Sequence, residues 1–287
     1  MRDYQKIIQE YDSQNIIKHE WGQNATALFN RVVKIWNKIN VGEKIAISSY
    51  KKLGIKSAVK FLEKNGLNAK IVGKGPDNLR LVEIEKDSDK FLEVINTQEV
   101  ISFDFNNREY QVNVGDAIFS KTDLDAGTRF LLEIFLETKI DLNNCNVADL
   151  GSGWGAISLV LANEFPLIQI TAYEKEDSSI EVSQINLKKY PSVAIVKTDL
   201  AQRDSNDIEK NREKFDYIVS NPPFHATKDE RTVIFENAKK LLKIGGEMFF
   251  VTEGHFVGRF RKTAMSFFSI LEEKNKDLWV VFRCRKN

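Results

Sequence analysis

Residues 146–156 read NVADLGSGWGA, a short apolar strand running into a turn built on Gly151, Gly153 and Gly155. Glycines there let the backbone take φ values closed to other residues and come close to a ligand. Downstream, apolar strands alternate with helices. The pattern predicts a strand over 146–150, a helix over 155–164, strand 167–174, helix 178–189 and strand 193–199; after a linker come strand 215–220, helix 230–242 and strand 247–253. Such alternation specifies a mainly parallel sheet covered by helices on both faces. The tail departs from it. After a helix near 258–263, SFFSILEE (266–273) and DLWVVFRCR (277–285) flank the turn KNK and read as an antiparallel hairpin.

Taken alone, the glycine loop also satisfies the dinucleotide fingerprint, so a nicotinamide dinucleotide and S-adenosylmethionine both fit it. Glu174 ends the second strand 23 residues beyond Gly151. A carboxylate at that point can accept two hydrogen bonds from a ribose diol, the alternative being a solvated strand end. Strand 215–220 runs directly into Asn221, Pro222, Pro223 and Phe224, and this corner separates the two cofactors. Consecutive prolines forbid helix and remove two backbone donors, leaving a stiff extended turn at the carboxyl edge of the sheet, where ligands bind in such folds. The Pro222 carbonyl and the Asn221 side chain would point outward there. An exocyclic amine on a nucleobase is a poor nucleophile because its lone pair is delocalised into the ring. Two acceptors fixed on its hydrogens stabilise the charge that grows on nitrogen during attack, and Phe224 offers a face on which a base can stack. Hydride transfer has no use for such a corner.

The chain has 287 residues, enough for one large or two modest domains. Its 42% hydrophobic and 29% charged residues describe a soluble globular protein. No apolar stretch reaches the ~20 residues that span a bilayer, and the first residues lack the apolar core of a signal peptide, so the expected location is the cytoplasm. Cys145 and Cys284 are far apart and only three histidines exist, so no metal site is expected and both thiols are expected to be reduced. The net charge is +1, yet residues 34–74 carry ten Lys against Glu43 and Glu63, a local excess of eight positive charges.

Residues 1–98 are expected to form a smaller N-terminal α/β domain and 99–287 the catalytic one. The opening stretch through Lys18 reads as helix, followed by a helix over 25–39, strand 43–49, helix 55–65 and strands 68–74 and 78–85. On helix 55–65, Ile55, Val59 and Leu62 face a core, while Lys52, Lys56, Lys60 and Lys64 form a stripe that is either a solvated face or a phosphate-contacting surface. Residues 100–114 alternate around Asn106 and Asn107 as a hairpin does.

NPPF after a DLGSGWG loop resembles the amino methyltransferases. FSKTDLDAGT (119–128) together with NPPFH (221–225) is similar to the methyltransferase small-domain family that modifies guanine-N2 in ribosomal RNA, of the small-subunit type. The resemblance covers roughly residues 98–287 and includes Phe119 and Ser120. More faintly, residues 54–85 resemble the end of the degenerate N-terminal domain of two-domain members, which would be shortened here and RNA-binding. The resemblance implies a seven-stranded, Rossmann-like class I methyltransferase sheet, S-adenosylmethionine as donor, ribosomal RNA or a ribosomal subunit as partner, and a monomer. It implies Asp149, Gly151, Gly153 and Gly155 on the methionine end of the donor, Glu174 and Asn221 around it, and Asp199 near the adenine amine, where a helix cap or solvated strand end is the alternative. Asp125, Gly127 and Thr128 would form a lip over donor and target, against a simple helix N-cap by Asp125. His225 would line the base pocket or serve the scaffold. Trp154 packs against its neighbours, and Arg259, Arg261 and Lys262 contact phosphates or are plain surface. Adenine-N6, a protein glutamine amide, and an RNA-binding assembly factor without turnover remain alternative readings.

Overall fold

The structure, a computed structural model, describes residues 2–3, 8–19, 25–95, 99–114 and 123–287. By its internal contacts the chain divides into two units, Met1–Gln98 and Glu99–Asn287.

In the first unit the described elements are strands β1 (Arg2–Asp3) and β2 (Ile16–His19), helix α1 (Ala25–Trp36), β3 (Lys44–Tyr50), α2 (Ile55–Lys64), β4 (Ala69–Lys74) and β5 (Leu79–Glu85). The sheet order is β1-β4-β5-β3-β2. β3 and β4 are both antiparallel to β5, which lies between them, so the β-α-β unit is split by a third strand. Helical periodicity buries Leu28, Phe29, Val32, Val33 and Trp36 of α1 and Ile55, Ala58, Val59 and Leu62 of α2 in one core. Lys56, Lys60 and Lys64 lie exposed on the opposite side of α2, and Lys52 is exposed in the 3-10 turn (Lys51–Leu53) before it. The helix expected through Lys18 is corrected. Residues 13–15 form a single 3-10 turn, and Ile16–His19 is a strand pairing in parallel with β3. The β-branched pair Ile16 and Ile17 gains more from the sheet than a polar helix could supply.

The second unit begins with a hairpin, β6 (Glu99–Phe105) and β7 (Arg108–Val114). Its two-residue turn places Asn106 and Asn107 at φ 50° and 58°, as the twist of a tight hairpin demands. Then come α3 (Ala126–Glu137), β8 (Asn146–Leu150), α4 (Ala156–Glu164), β9 (Gln169–Glu174), α5 (Asp177–Leu187), β10 (Val193–Lys197), α6 (Asn206–Lys210), β11 (Phe215–Ser220), α7 (Lys228–Leu241), β12 (Leu242–Glu253), α8 (Val257–Met265), β13 (Ser269–Lys276) and β14 (Trp279–Arg285). The seven-stranded sheet runs β10-β9-β8-β11-β12-β14-β13, parallel from β10 to β12, with β14 antiparallel to its two neighbours. The expected turn at KNK is corrected: Asn275 and Lys276 pair with Val280 and Trp279, and the chain reverses at Asp277 and Leu278. Asp277 takes φ 52°, a left-handed conformation that Asp tolerates better than Lys.

The central strands are apolar on both sides because both faces are covered. One face packs the hairpin, α3 and α4 through Phe103, Tyr110, Leu131, Phe135 and Val160, and the other packs α7 and α8 through Phe235, Leu241 and Phe260. Phe250 of β12 is fully buried, stacked on Phe282 at 4.8 Å and meeting Phe235 edge-on at 5.1 Å. Phe250→Ala should therefore destabilise the chain by about 3–5 kcal/mol, read as a lower urea midpoint at unchanged slope. A shift below ~1 kcal/mol would show that this ring does not close the face covered by α7 and α8.

Candidate active site

Three strand ends converge at the carboxyl edge of the seven-stranded sheet. At the first, β8 turns into α4 through the glycine loop, where Gly151 and Ser152 donate their N–H groups to the Tyr173 carbonyl at 2.9 and 3.0 Å. Gly151 and Gly153 lie at φ 74° and 56°, and a Cβ at either would meet open space. Gly155 differs. At φ 91° its missing Cβ would stand 2.9 Å from Leu187 Cδ1, so this glycine lets α4 pack on α5. Trp154 packs edge-on against Phe103 at 6.0 Å.

Asp149 is 1% exposed, and its Oδ2 accepts from the Ser158 N–H at 3.1 Å and Oγ at 2.7 Å, capping α4 from the preceding strand. Its Oδ1 is buried without a partner among the described residues, as is Ser152 Oγ in the loop itself. Burial pushes the Asp149 carboxyl up to about 7; the Ser158 bonds oppose that rise and the charge of Glu174 adds to it. Glu174 closes β9 and braces the loop, its Oε2 accepting from Gly153 N–H at 2.9 Å and its Oε1 from the Lys175 and Glu176 N–H groups. Asp199 lies two residues past β10, exposed, with Oδ1 accepting from Ala201 N–H at 2.9 Å, the local turn of a strand end. Open space over two glycines, a buried unpaired carboxylate oxygen and a strand-end glutamate fit the methionine and ribose ends of a sulfonium nucleoside.

At the end of β11, Ser220 Oγ donates to the Leu150 carbonyl at 2.8 Å and ties the strand to the root of the glycine loop. Asn221 comes next. Its Nδ2 donates to Asp125 Oδ2 at 3.0 Å and Thr128 Oγ1 at 2.9 Å. The same Asp125 oxygen accepts from the Thr128 N–H at 2.8 Å as the N-cap of α3. An ionised carboxylate only accepts, so the amide must turn its NH2 to Asp125 and its Oδ1 the other way. Asp125 is thus both a helix cap and the anchor of the asparagine. Pro222 is buried and Pro223 exposed; Ala226 donates to the Pro223 carbonyl at 3.1 Å, whereas the Pro222 carbonyl takes no backbone hydrogen bond among the described residues.

Phe224 is half-buried, stacked on Phe256 with centroids 6.1 Å apart and tilted against Trp279 at 5.7 Å, while the exposed His225 meets Phe256 edge-on at 5.1 Å. Trp279 also explains Gly127: a Cβ there would stand 2.8 Å from its ring. Phe256 and Trp279 had no signal in the sequence, since only the sheet order brings the start of β14 beside Phe224. Asn186 of α5 was missed too. Its Nδ2 donates to the Asn113 and Trp154 carbonyls at 3.0 Å each and its Oδ1 accepts from Asn113 N–H at 2.8 Å, clamping the hairpin to the glycine loop. Arg261 is occupied by Glu273 at 2.6 and 2.9 Å. Phe119 and Ser120 lie outside the described residues.

The strand order, with its antiparallel seventh strand inserted before the sixth, together with a glycine loop and NPPF at neighbouring strand ends, defines a class I methyltransferase fold. The chain belongs to the methyltransferase small domain family, whose model matches residues 109–281. It is 30% identical over 236 residues to the ribosomal RNA small subunit methyltransferase C of Actinobacillus pleuropneumoniae serotype 5b, covering 79% of this chain and 66% of that protein. It is 28% identical over 162 residues to the ribosomal RNA large subunit methyltransferase G of Yersinia enterocolitica, covering 55% and 39%. The chain thus spans just under two thirds of the length of the first of these relatives. Among solved structures, the T. thermophilus 16S rRNA N2 methyltransferase in complex with AdoMet and guanosine superposes with a TM-score of 0.70 at 20% identity, covering 95% of this chain and 72% of that one.

The Asp149 environment has a pH signature. Folded, the carboxyl keeps a proton that the unfolded chain releases near its ordinary value of 3.8, so the stability it contributes is full below about pH 4 and is lost as pH rises through about 7. Asp149→Asn keeps the shape and removes the titration. The variant should melt higher than the wild type at pH 8 and together with it near pH 4. Parallel melting profiles across that range would refute the shifted carboxyl.

Proposed function

We propose that this chain transfers a methyl group from S-adenosylmethionine to the exocyclic N2 amine of a guanine in ribosomal RNA. The reading is carried by Asn221, whose amide is pinned by Asp125 and Thr128 so that its oxygen, with the Pro222 carbonyl, stands as an acceptor beside the glycine loop. The names of the ribosomal RNA methyltransferase relatives support the same acceptor class.

The donor brings a methyl group already activated by its sulfonium. What the protein adds is alignment and charge stabilisation. Gly151 and Gly153 would leave room for the methionine end, the Asp149 Oδ1 would accept from its amino group, and Glu174 would hold the ribose. Phe224 holds the base by its face. Asn221 Oδ1 and the Pro222 carbonyl would accept the two amine hydrogens, turn the nitrogen lone pair out of the ring and stabilise the positive charge that develops on nitrogen until its surplus proton leaves to solvent. His225 and Thr128 border the base. In this reading the first unit, with its lysine face, contributes RNA affinity, the protein acts as a monomer in the cytoplasm, and no metal takes part.

Asn221→Ala removes one acceptor and leaves the donor loop intact. Methylation of ribosomal RNA from a deletion strain should fall by roughly 10²–10³, with S-adenosylmethionine affinity by calorimetry nearly unchanged. Nucleoside analysis of that RNA identifies the acceptor: absence of N2-methylguanosine is expected, whereas loss of a methylated adenosine would move the activity to adenine-N6. Retained activity in the alanine variant would overturn the assigned role of the asparagine.

A further inference from the structure

Near the carboxyl end of the second unit, arginines are matched by carboxylates: Arg283 and Arg285 grip Glu247 at 2.7 and 2.6 Å, and Arg261 grips Glu273. Arg231, in the first turn of α7 directly after NPPFHAT, is not. It is 6% exposed, with Nε donating to Thr263 Oγ1 at 3.1 Å and Nη1 to the Ala226 carbonyl at 3.2 Å. No carboxylate lies within ion-pair distance of it among the described residues. Its guanidinium lies over the Phe260 ring, 5.4 Å from the ring centre; burial first, and then the positive charge of Arg259, hold it below its usual range. Thr263 joins the two, accepting from Arg231 Nε and donating to the Arg259 carbonyl at 3.0 Å. Arg259 is exposed, without a carboxylate partner among the described residues, and its guanidinium lies 5.8 Å from the centre of the Phe256 ring. The acids at the start of α7 are engaged elsewhere, Glu230 on the Thr227 N–H and Asp229 on Arg203 at 3.0 Å.

A buried cation facing a like charge with no counter-ion is costly, and an anion bound between the two would remove that cost. Guanidinium forks match phosphate oxygens in bidentate fashion. The pair also stands in the right place. Arg231 holds the carbonyl two residues after Phe224, and the ring beneath Arg259 is the one stacked on Phe224. We infer that Arg231 and Arg259 form an anion site that takes a phosphodiester of the acceptor strand beside the target nucleotide, an inference resting on the reading of the acceptor as RNA.

The test uses the full chain and leaves Arg231 in place, since its two hydrogen bonds also support α7. Binding of a labelled single-stranded RNA is followed by anisotropy across a salt series. Arg259→Gln should weaken binding and flatten the slope of log K against log salt by about 0.7 for one lost phosphate contact, with S-adenosylmethionine affinity unchanged. Arg259→Glu gives Arg231 the missing carboxylate. Its Tm should rise by roughly 2–4 °C while RNA affinity falls further, and inorganic phosphate should raise the Tm of the wild type but not of this variant. Unchanged RNA affinity and slope in Arg259→Gln, or an Arg259→Glu variant whose Tm does not rise, would overturn the site. If phosphate protects the wild type through Arg259 while RNA does not bind, the anion site stands and the RNA reading fails.

Discussion

One carboxylate oxygen, Asp125 Oδ2, organises the reactive corner. It caps α3 through the Thr128 N–H, receives the Thr128 hydroxyl at 3.1 Å and receives the Asn221 amide at 3.0 Å. Three donors on one acceptor leave the asparagine a single orientation, because turning the amide over would bring its oxygen against a carboxylate. The same contact joins two distant stretches, residues 123–128 and 221–224, so the site exists only when α3 has docked on the sheet. Gly127 belongs to that docking: glycine weakens a helix, and here it admits the Trp279 ring that also backs Phe224.

The donor side is built on a different principle. There the backbone is left open over two glycines, and side chains hold it in shape. Glu174 braces Gly153, Asp149 holds the first turn of α4, and Asn186 pins the Trp154 carbonyl to the hairpin. The cost is an ionisable group kept almost wholly out of water, and Asp149 bears it as a carboxyl pushed up to about 7. Such a group is poised to respond to a cationic ligand, because a positive charge nearby would favour its ionised form.

Much of the second unit was legible along the chain. NVADLGSGWGA, the strand-end Glu174 and NPPF each carry their meaning locally: glycine and proline restrict the backbone residue by residue, and a strand buried on both faces is apolar throughout. The first unit was less legible. Its opening stretch is polar and helical in composition, and Ile16–His19 became a strand only because β3 offered an open edge for it to pair with. The terminal hairpin was found, yet its turn moved by a few residues to Asp277, since the register is set by pairing with β12 and not by the polar run KNK.

By itself, then, the order of residues determined the class of the sheet, the glycine loop after β8 and the stiff proline turn after β11, because these depend on backbone freedom, which is a property of each residue alone. The tertiary structure alone decided that Asp125 serves both cap and asparagine, that Phe256 and Trp279 wall Phe224, that Asn186 clamps the loop, and that Arg231 is buried with its Nε on Thr263. Those are contacts between residues far apart in the chain, and they arise from how strands order themselves in a sheet, which no local pattern records.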